Sequence, residues 1–196
     1  MPPAEDMTET ELLKIYEETG GLLRGHFLLS SGLHSDTYLQ SALVLQHPKY
    51  AAQLGKALAS QFTDVKAQVV VGPALGGIVV AYEVARALGT RALFTEREEG
   101  QMKLRRGFQI NPEERFLVVE DVITTGGSTR EVIKALEDLG GKCVGVGALI
   151  DRSGATATFP ARMTALARLT PPTWKPEDCP LCASGLPPVK PGSRRG

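Results

Sequence analysis

The stretch from residue 116 to residue 129 constrains the fold more strongly than any other part of this chain. It begins with four apolar residues, Phe116 to Val119, which are followed at once by two carboxylates, Glu120 and Asp121. An unbroken apolar run is typical of a strand that is buried on both faces, as in a parallel sheet. The pattern therefore predicts a central strand with an acidic pair, Glu120 and Asp121, at its carboxyl end.

A loop and a helix follow this acidic pair. Residues 124–129 are threonine, glycine and serine, and Gly140 can end a helix whose apolar stripe consists of Val132, Ile133, Leu136 and Leu139. Backbone N–H groups and hydroxyls at the start of a helix bind phosphate, and carboxylates at a strand end hold sugar hydroxyls or Mg²⁺. An ordinary strand-to-helix turn is the alternative, but it explains a lone acidic pair better than it explains the whole run.

Length, charge and cysteine content narrow the functional classes. A chain of 196 residues can form one full domain, and its 22 basic side chains equal its 22 acidic ones, so nucleic acid is not the expected partner. No apolar run reaches membrane-spanning length, and residues 1–6 lack the apolar region of a signal peptide. Three cysteines do not form a disulfide framework. These features predict a soluble, cytoplasmic α/β protein without a membrane partner.

The N-terminal part carries signals for a helix and two short strands. Thr8 and Glu11 have the spacing of a capping box. Phe27–Leu29 and Thr37–Leu39 are strand candidates, joined by a polar turn at Ser30–Asp36. These two strands form either a simple hairpin or a cover over a site, and the sequence leaves both interpretations open.

A second strand–loop–helix unit precedes the central one. Pro48 begins a helix, and Gln68–Val71 is predicted to be a buried strand. Residues 72–77, here called the second glycine loop, lead into a helix that ends at Gly89. The backbone amides of this loop suit a second anion such as pyrophosphate, although close helix–strand packing also explains the glycines.

Residues 96–107, here called the lid segment, break the periodic pattern after a strand predicted at Arg91–Thr95. The segment holds four cations and three carboxylates, with glycines at positions 100 and 107. A solvated hairpin and a mobile lid that carries cations to a polyphosphate both fit this composition.

The last predicted strands lie beyond the central unit. Lys142–Ile150 ends at Asp151 and Arg152, and an arginine at this position lies on the ligand side of an open α/β sheet unless it forms a surface salt bridge. Met163–Leu169 adds a further strand. From Thr170 onward the chain is proline-rich, with seven of its thirteen prolines between positions 171 and 191, which indicates a tail or strap.

The tail contains Cys179 and Cys182, which have the spacing of half a zinc site. Within one chain, only Cys143 and the three histidines could supply the missing ligands. A zinc ion shared with the same pair of another chain is a second interpretation, and a reduced turn without metal is a third.

The central run, with neither a Walker lysine nor a Gly-x-Gly-x-x-Gly spacing, resembles the phosphoribosyl-pyrophosphate (PRPP) motif of type I phosphoribosyltransferases. Within that family the chain is similar to the orotate phosphoribosyltransferases over roughly residues 8–152. Three features support the closer likeness: Ser31–Tyr38, the Gly-Pro-Ala at 72–74, and Asp151 followed by Arg152.

The resemblance implies a mostly parallel central sheet flanked by helices, with a small N-terminal hood and a flexible lid. It also implies one phosphoribosyltransferase domain at residues 1–169, with the hood at about 8–45 and the core at about 46–169, and a separate tail at 170–196. The implied activity transfers the ribose 5-phosphate of PRPP to orotate in pyrimidine (UMP) biosynthesis, giving orotidine 5′-monophosphate and pyrophosphate. The implied assembly is a homodimer whose lid is shared across the interface.

The resemblance also assigns roles to individual residues. Catalysis falls to Glu120, Asp121 and Lys103, and Mg²⁺ is held mainly by PRPP near the acidic pair. Orotate is bound by Thr124 and Arg152. The lid cations that act on pyrophosphate are Arg97 and Lys103, with Arg105 or Arg106 as a further one. PRPP is bound by Arg97, Lys103, Glu120, Asp121, Val122, Ile123, Thr124, Thr125, Gly126, Gly127 and Ser128.

Two departures and two rival functions accompany the resemblance. The second glycine loop has Gly76 where many family members carry a lysine, and the lid segment lacks the usual histidine. A purine phosphoribosyltransferase shares the PRPP motif but does not need a cation for a substrate carboxylate. A PRPP-sensing regulator keeps the fold without turnover, and it usually needs a basic surface for nucleic acid.

Overall fold

The computed structural model describes residues 7–29 and 31–191. The expectation for residues 1–6, Ser30 of the predicted turn and the end of the tail at 192–196 lie outside the described residues. Across the described part of the chain, no helix combines the length and the apolar character that a membrane span requires.

The described structure contains nine strands, six α-helices and a short 3₁₀ helix at Pro176–Asp178. The strands are β1 (Leu22–Leu28), β2 (His34–Leu39), β3 (Val69–Pro73), β4 (Arg91–Glu98), β5 (Gln101–Leu104), β6 (Arg115–Ile123), β7 (Lys142–Asp151), β8 (Met163–Arg168) and β9 (Thr173–Trp174). The helices are α1 (Glu9–Glu18), α2 (Ser41–Leu45), α3 (Pro48–Ser60), α4 (Gly76–Leu88), α5 (Gly127–Glu137) and α6 (Pro180–Ala183).

A six-stranded sheet in the order β5-β4-β3-β6-β7-β8 forms the core. All its pairs are parallel except the hairpin pair β4 and β5. Strand β6 lies between β3 and β7, and Phe116 to Val119 are fully buried. The predicted central strand and mostly parallel sheet are therefore confirmed.

Helices cover both faces of this sheet, because its inner strands are apolar on both sides. Val70 faces a layer that contains the buried residues of α1, α2, α3 and α4. Its neighbours Val69 and Val71 face the opposite layer, which contains the apolar stripe of α5. This alternation along β3 follows from the two-residue period of a strand.

The ends of the helices follow their local sequence signals. The capping box at α1 is confirmed, since Thr8 Oγ1 accepts a hydrogen bond from the Glu11 amide and the Glu11 carboxylate accepts one from the Thr8 amide. The predicted stripe of α5 is wrong at its last member. The helix ends at Glu137, so Leu139 lies outside it, and the residue is 53% exposed.

A second sheet joins the N-terminal segment to the tail. Strands β1 and β2 form an antiparallel hairpin, and β9 of the tail pairs with β2. Both hairpin strands are longer than the sequence predicted, and β2 already begins at His34, inside the expected turn. Val189 of the tail also pairs with β1: its amide donates to the His26 carbonyl over 2.8 Å.

The lid segment forms a β-hairpin in the structure, as one of the two interpretations predicted. Strand β4 continues past the predicted end at Thr95 to Glu98, turns at residues 99 and 100, and returns as β5. Glu99 and Gly100 both have positive φ angles, of 51° and 81°, as a tight reversal requires.

Candidate active site

A cleft of about 900 Å³ opens at the carboxyl ends of β6 and β7. The sheet order changes direction beside β6, because β4 follows β3 on one side while β6 follows on the other. Ligands of open α/β sheets bind at such a switch point. The N-terminal segment and the tail form the opposite wall of the cleft, with Leu28, Leu29, Ser31, Leu33, Tyr38, Thr173, Lys190 and Pro191 among its lining residues.

The acidic pair lies within β6, because the strand continues to Ile123 instead of ending before Glu120. Asp121 lines the cleft. Burial, reinforced by the neighbouring Asp121 carboxylate, raises the pKa of Glu120 to about 9. Ionising both adjacent carboxyl groups at once costs free energy, because two negative charges then lie close together. A bound cation or hydrogen bonds from hydroxyl groups would reduce this cost.

The loop after β6 presents backbone amides to the cleft. Thr124 and Thr125 line the cleft and are exposed, as is Ser128. Gly126 has a φ of +74° and precedes α5 without any side-chain cap on the helix N-terminus. The first amides of a helix have no partner inside the helix, and they attract anions. Residues 124–128, here called the phosphate loop, therefore have the geometry of the predicted phosphate site.

The second glycine loop packs directly against the acidic pair. A Cβ atom at Gly76 would lie 2.6 Å from Oδ1 of Asp121, and one at Gly77 would lie 3.1 Å from the carbonyl oxygen of Val119. Any larger side chain at position 76 would displace the Asp121 carboxylate. In this chain Gly76 therefore leaves room for the Asp121 carboxylate at the wall of the cleft.

Arg152 lies at the end of β7 and lines the same cleft. Its amide donates to the Ile123 carbonyl over 2.7 Å, which ties it to the strand of the acidic pair. Burial lowers the pKa of its guanidinium, an effect partly offset by Tyr38. Among the described residues Arg152 forms no ion pair, and the adjacent Ser153 hydroxyl is buried without a hydrogen-bond partner. Both groups are available to a polar ligand.

The cations of the lid segment lie outside this cleft. Arg97 pairs with Glu131 of α5 at 2.8 Å, and Lys103 pairs with Glu98 at 2.8 Å. Arg105 and Arg106 pair with carboxylates of the lid segment itself. The structure thus brings Asp121, the start of the phosphate loop at Thr124 and Thr125, and Arg152 to one cleft, with Glu120 next to Asp121 in β6. It does not bring Arg97 or Lys103 to the same chain's cleft.

Comparison with known proteins identifies the family. A model of the phosphoribosyl transferase domain matches residues 41–166. Orotate phosphoribosyltransferases from Desulforamulus reducens and Pelotomaculum thermopropionicum are 54% and 55% identical over 189 residues, 96% of this chain and 99% and 100% of theirs. The chain belongs to the orotate phosphoribosyltransferase family. The predicted resemblance is confirmed, and the match extends beyond residues 8–152 into the tail.

A solved member of the orotate phosphoribosyltransferase family has the same fold. The Mycobacterium tuberculosis enzyme in complex with PRPP superposes with a TM-score of 0.64 and is 27% identical, covering 81% of this chain and 96% of that one. The predicted fold class is confirmed by this likeness and by the sheet order.

The cleft also contains residues that the sequence did not single out. Thr173 and Lys190 line it from the tail. Proline-rich composition predicts an extended strap but does not reveal which surface the strap covers. The sequence signal that could have placed the tail was the set of histidines in the hairpin and cysteines in the tail, because shared metal ligands would bring these two segments together.

Two classes of metal ligand are separated in this fold. Among the described residues, the one cluster of three or more histidine, cysteine or acidic side chains is formed by His26, His34, Cys179 and Cys182. The acidic pair supplies only two carboxylates at the cleft. Mg²⁺ prefers oxygen ligands and is usually held by one or two carboxylates together with substrate phosphates, so the acidic pair fits an ion held mainly by PRPP.

Proposed function

We propose that this chain transfers the ribose 5-phosphate of PRPP to orotate and releases orotidine 5′-monophosphate and pyrophosphate, a step of UMP biosynthesis. The observation that carries the proposal is Arg152: a half-buried guanidinium without an ion pair among the described residues, which shares its cleft with Asp121 and with Thr124 and Thr125 of the phosphate loop. A guanidinium in this state matches a substrate carboxylate, which orotate has and the purine bases lack.

The cleft offers a separate place for each part of the substrates. The phosphate loop, residues 124–128, would hold the 5-phosphate through its amides and hydroxyls. The acidic pair would bind the ribose hydroxyls, and the Asp121 carboxylate would stabilise the positive charge that develops on the ribose carbon. Arg152, together with Thr124, would hold orotate so that its ring nitrogen faces that carbon.

The chemistry requires positioning rather than a side-chain nucleophile. The bond between the ribose carbon and pyrophosphate breaks as the orotate nitrogen bonds to the same carbon from the opposite face. When bound, Mg²⁺ neutralises charge on the departing pyrophosphate. Holding both substrates in an attack geometry can contribute roughly 7–11 kcal/mol. Excluding water from the cleft protects PRPP from hydrolysis.

The activity itself is tested by orotate-dependent release of pyrophosphate from PRPP in the presence of Mg²⁺. Adenine, guanine and hypoxanthine, each offered in place of orotate, are the matched comparison. We expect pyrophosphate release with orotate and with none of the three purine bases. Faster release with a purine base would replace the proposal by a purine phosphoribosyltransferase, and no release with any base would favour a PRPP-binding regulator.

Arg152→Ala is expected to raise the KM for orotate about 10- to 150-fold and to change the KM for PRPP little, because a charged hydrogen bond is worth about 1.5–3 kcal/mol. Steady-state kinetics with each substrate varied in turn measure the effect. Arg168→Ala, which removes a guanidinium that is 75% exposed at the end of β8, is the matched control. An equal rise in both KM values would show that Arg152 only supports the fold.

We also propose a homodimer in which the lid segment of one chain serves the cleft of the other. Support comes from the family resemblance and from the position of Arg97 and Lys103, which lie outside their own chain's cleft. Their partners Glu131 and Glu98 are surface carboxylates, and exposed ion pairs contribute little to stability. Arg97 and Lys103 can therefore leave these carboxylates and pair with the phosphates of PRPP at little cost in folding free energy.

Mixing two inactive variants tests the shared lid. One variant carries Asp121→Asn, and the other carries Arg97→Ala with Lys103→Ala. Random pairing makes about half of the dimers hybrid, each with one intact composite site, so activity should recover to about a quarter of wild type. A lid that acts on its own chain gives no recovery, because every site of a hybrid then carries a lesion. Native mass spectrometry of the mixture confirms that subunits have exchanged.

We further propose a cytoplasmic location. The three cysteines are unpaired in the described structure, as is usual for proteins of a reducing compartment. Mass spectrometry of protein that is unfolded with a chelator present and alkylated as the cells are lysed tests this, because these conditions expose Cys179 and Cys182 even if they bind a metal. Modification of all three thiols is the expected result.

A further inference from the structure

A cluster of two histidines and two cysteines lies where the β1–β2 hairpin meets the tail. Its members are His26 on β1, His34 on β2, Cys179 just before α6, and Cys182 within α6. One ligating atom from each side chain lies within 4.8 Å of all the others. His26, His34 and Cys179 are at least 95% buried, and Cys182 lies at the surface end of the cluster.

We propose that this cluster is a structural zinc site formed within one chain. Its donors are those of a Cys₂His₂ site, and the spacing of the two cysteines is that of a zinc-binding half-site. The proposal concerns metal binding at the hood and tail, so it stands independently of the proposed transferase activity.

The distances fit tetrahedral zinc. Zinc–ligand bonds of about 2.05 Å to nitrogen and about 2.3 Å to sulfur imply separations of about 3.6 Å between sulfur and nitrogen and about 3.3 Å between two nitrogens. His26 Nε2 lies 3.4 Å from Cys179 Sγ and 3.8 Å from Cys182 Sγ. Cys182 Sγ also lies 3.3 Å from His34 Nδ1. The two histidine nitrogens are 2.7 Å apart, so the rings need to separate by about 0.6 Å to admit the ion.

The surroundings of His26 select the nitrogen that faces the cluster. Its Nδ1 lies 2.6 Å from the Leu186 carbonyl oxygen, which can only accept a hydrogen bond. Nδ1 therefore carries the proton, and Nε2 keeps its lone pair for a metal. A carbonyl that fixes the ring in this way is the usual second partner of a zinc-bound histidine.

The backbone of β1 also serves the cluster. The register of β1 against β2 shifts between Arg24 and Phe27, and His26 and Phe27 are consecutive buried residues. In a regular strand, neighbouring side chains point to opposite faces, whereas a bulge re-aims one of them. The irregularity thus turns His26 toward the tail, while the buried ring of Phe27 packs near Tyr38 of β2.

The tail needs such a cross-link, because it buries little apolar surface. Cys179 is the only buried residue between positions 170 and 191. Its other attachments in the described structure include the two-residue pairing of β9 with β2, the backbone bonds of Val189 to β1, and the hydrogen bonds from Ser35 to Pro172 and from His26 to Leu186. A structural zinc ion contributes folding free energy directly, and here it would fasten the wall of the cleft that carries Thr173 and Lys190.

Metal analysis of protein purified without chelator from zinc-supplemented cells tests the site. We expect about one zinc per chain in wild type, and less than about 0.1 in His26→Ala and in Cys182→Ser. Cys143→Ser and His47→Ala are the matched controls and should keep the full content, because neither residue belongs to the cluster.

Three outcomes overturn the proposal. Half a zinc per chain that survives His26→Ala would assign the ion to cysteine pairs of two chains. Wild-type protein without zinc but with a disulfide between Cys179 and Cys182 would make the cluster a redox site. Wild-type protein without zinc and with free thiols would make it a reduced turn.

A second measurement does not depend on whether the variants fold. Replacing the metal of wild-type protein with Co²⁺ should give a thiolate-to-metal charge-transfer absorption if both cysteines are ligands. Removing the metal with a chelator should lower the Tm and make the chain near residues 170–191 sensitive to protease. Absence of the charge-transfer band after Co²⁺ uptake would exclude the thiolates as ligands.

Discussion

Asp121→Asn is expected to lower turnover about 10²- to 10³-fold, the scale lost when one group is removed that stabilises charge in a transition state. The change keeps the shape of the side chain and removes only its negative charge. That charge lies at the wall of the cleft, against Gly76 and beside the phosphate loop, where a positive ribose carbon would develop. Initial rates of orotidine 5′-monophosphate formation at saturating substrates measure the loss.

The fold of this variant is checked separately from its activity. Circular dichroism and Tm should match those of wild type or exceed them, because the substitution removes one of two adjacent carboxylates. Asp138→Asn is the matched control, since Asp138 is an exposed partner of Lys134 just beyond α5, and its turnover should stay within twofold of wild type. Near-normal turnover of the Asp121→Asn protein would remove the acidic pair from the mechanism.

The central unit could be predicted from the sequence because its signals are local. The apolar run at 116–119, the acidic pair and the phosphate loop follow one another along the chain, so the order strand, site, helix can be read directly. Arg152 was also accessible, since the carboxyl ends of neighbouring parallel strands meet at one edge of the sheet. The exact ends of the strands were harder to predict from the sequence. Strand β6 includes the acidic pair because its pairing with β7 continues to Ile123.

The cover of the cleft could not be predicted in the same way, because it depends on contacts between distant parts of the chain. His26 and Cys179 are separated by 153 positions, and no periodic pattern connects them. The same limit applies to Thr173 and Lys190, whose place in the cleft depends on how the tail crosses the hairpin. The lid segment was ambiguous for a different reason: its charges fit a hairpin and a lid equally well, and the hairpin satisfies them with internal ion pairs.

Glu120→Gln is expected to stabilise the ligand-free protein at neutral and alkaline pH while it impairs catalysis. The folded-state pKa of Glu120 is about 9, against 4.5 for the ordinary side chain, because burial and Asp121 disfavour its ionisation. Below pH 4.5 the carboxyl group is protonated in both the folded and the unfolded state, so its contribution to stability is complete. Between pH 4.5 and 9 the unfolded state ionises first, and wild type loses up to about 1.4 kcal/mol per pH unit.

Glutamine resembles the protonated carboxyl group but does not titrate, so the variant escapes this loss. The Tm difference between Glu120→Gln and wild type should be near zero at pH 4.5 and should grow with pH, reaching roughly 5–15 °C at pH 7.5 for a gain of about 2–4 kcal/mol. Exposed Glu17→Gln is the matched control and should show a nearly constant difference. In an Asp121→Asn background the Tm difference should stop growing at a lower pH, because a charge that opposes ionisation of Glu120 is gone. A Tm difference that does not vary with pH would mean that the pKa of Glu120 is the same in the folded and the unfolded state. The acidic pair would then not destabilise the ligand-free protein.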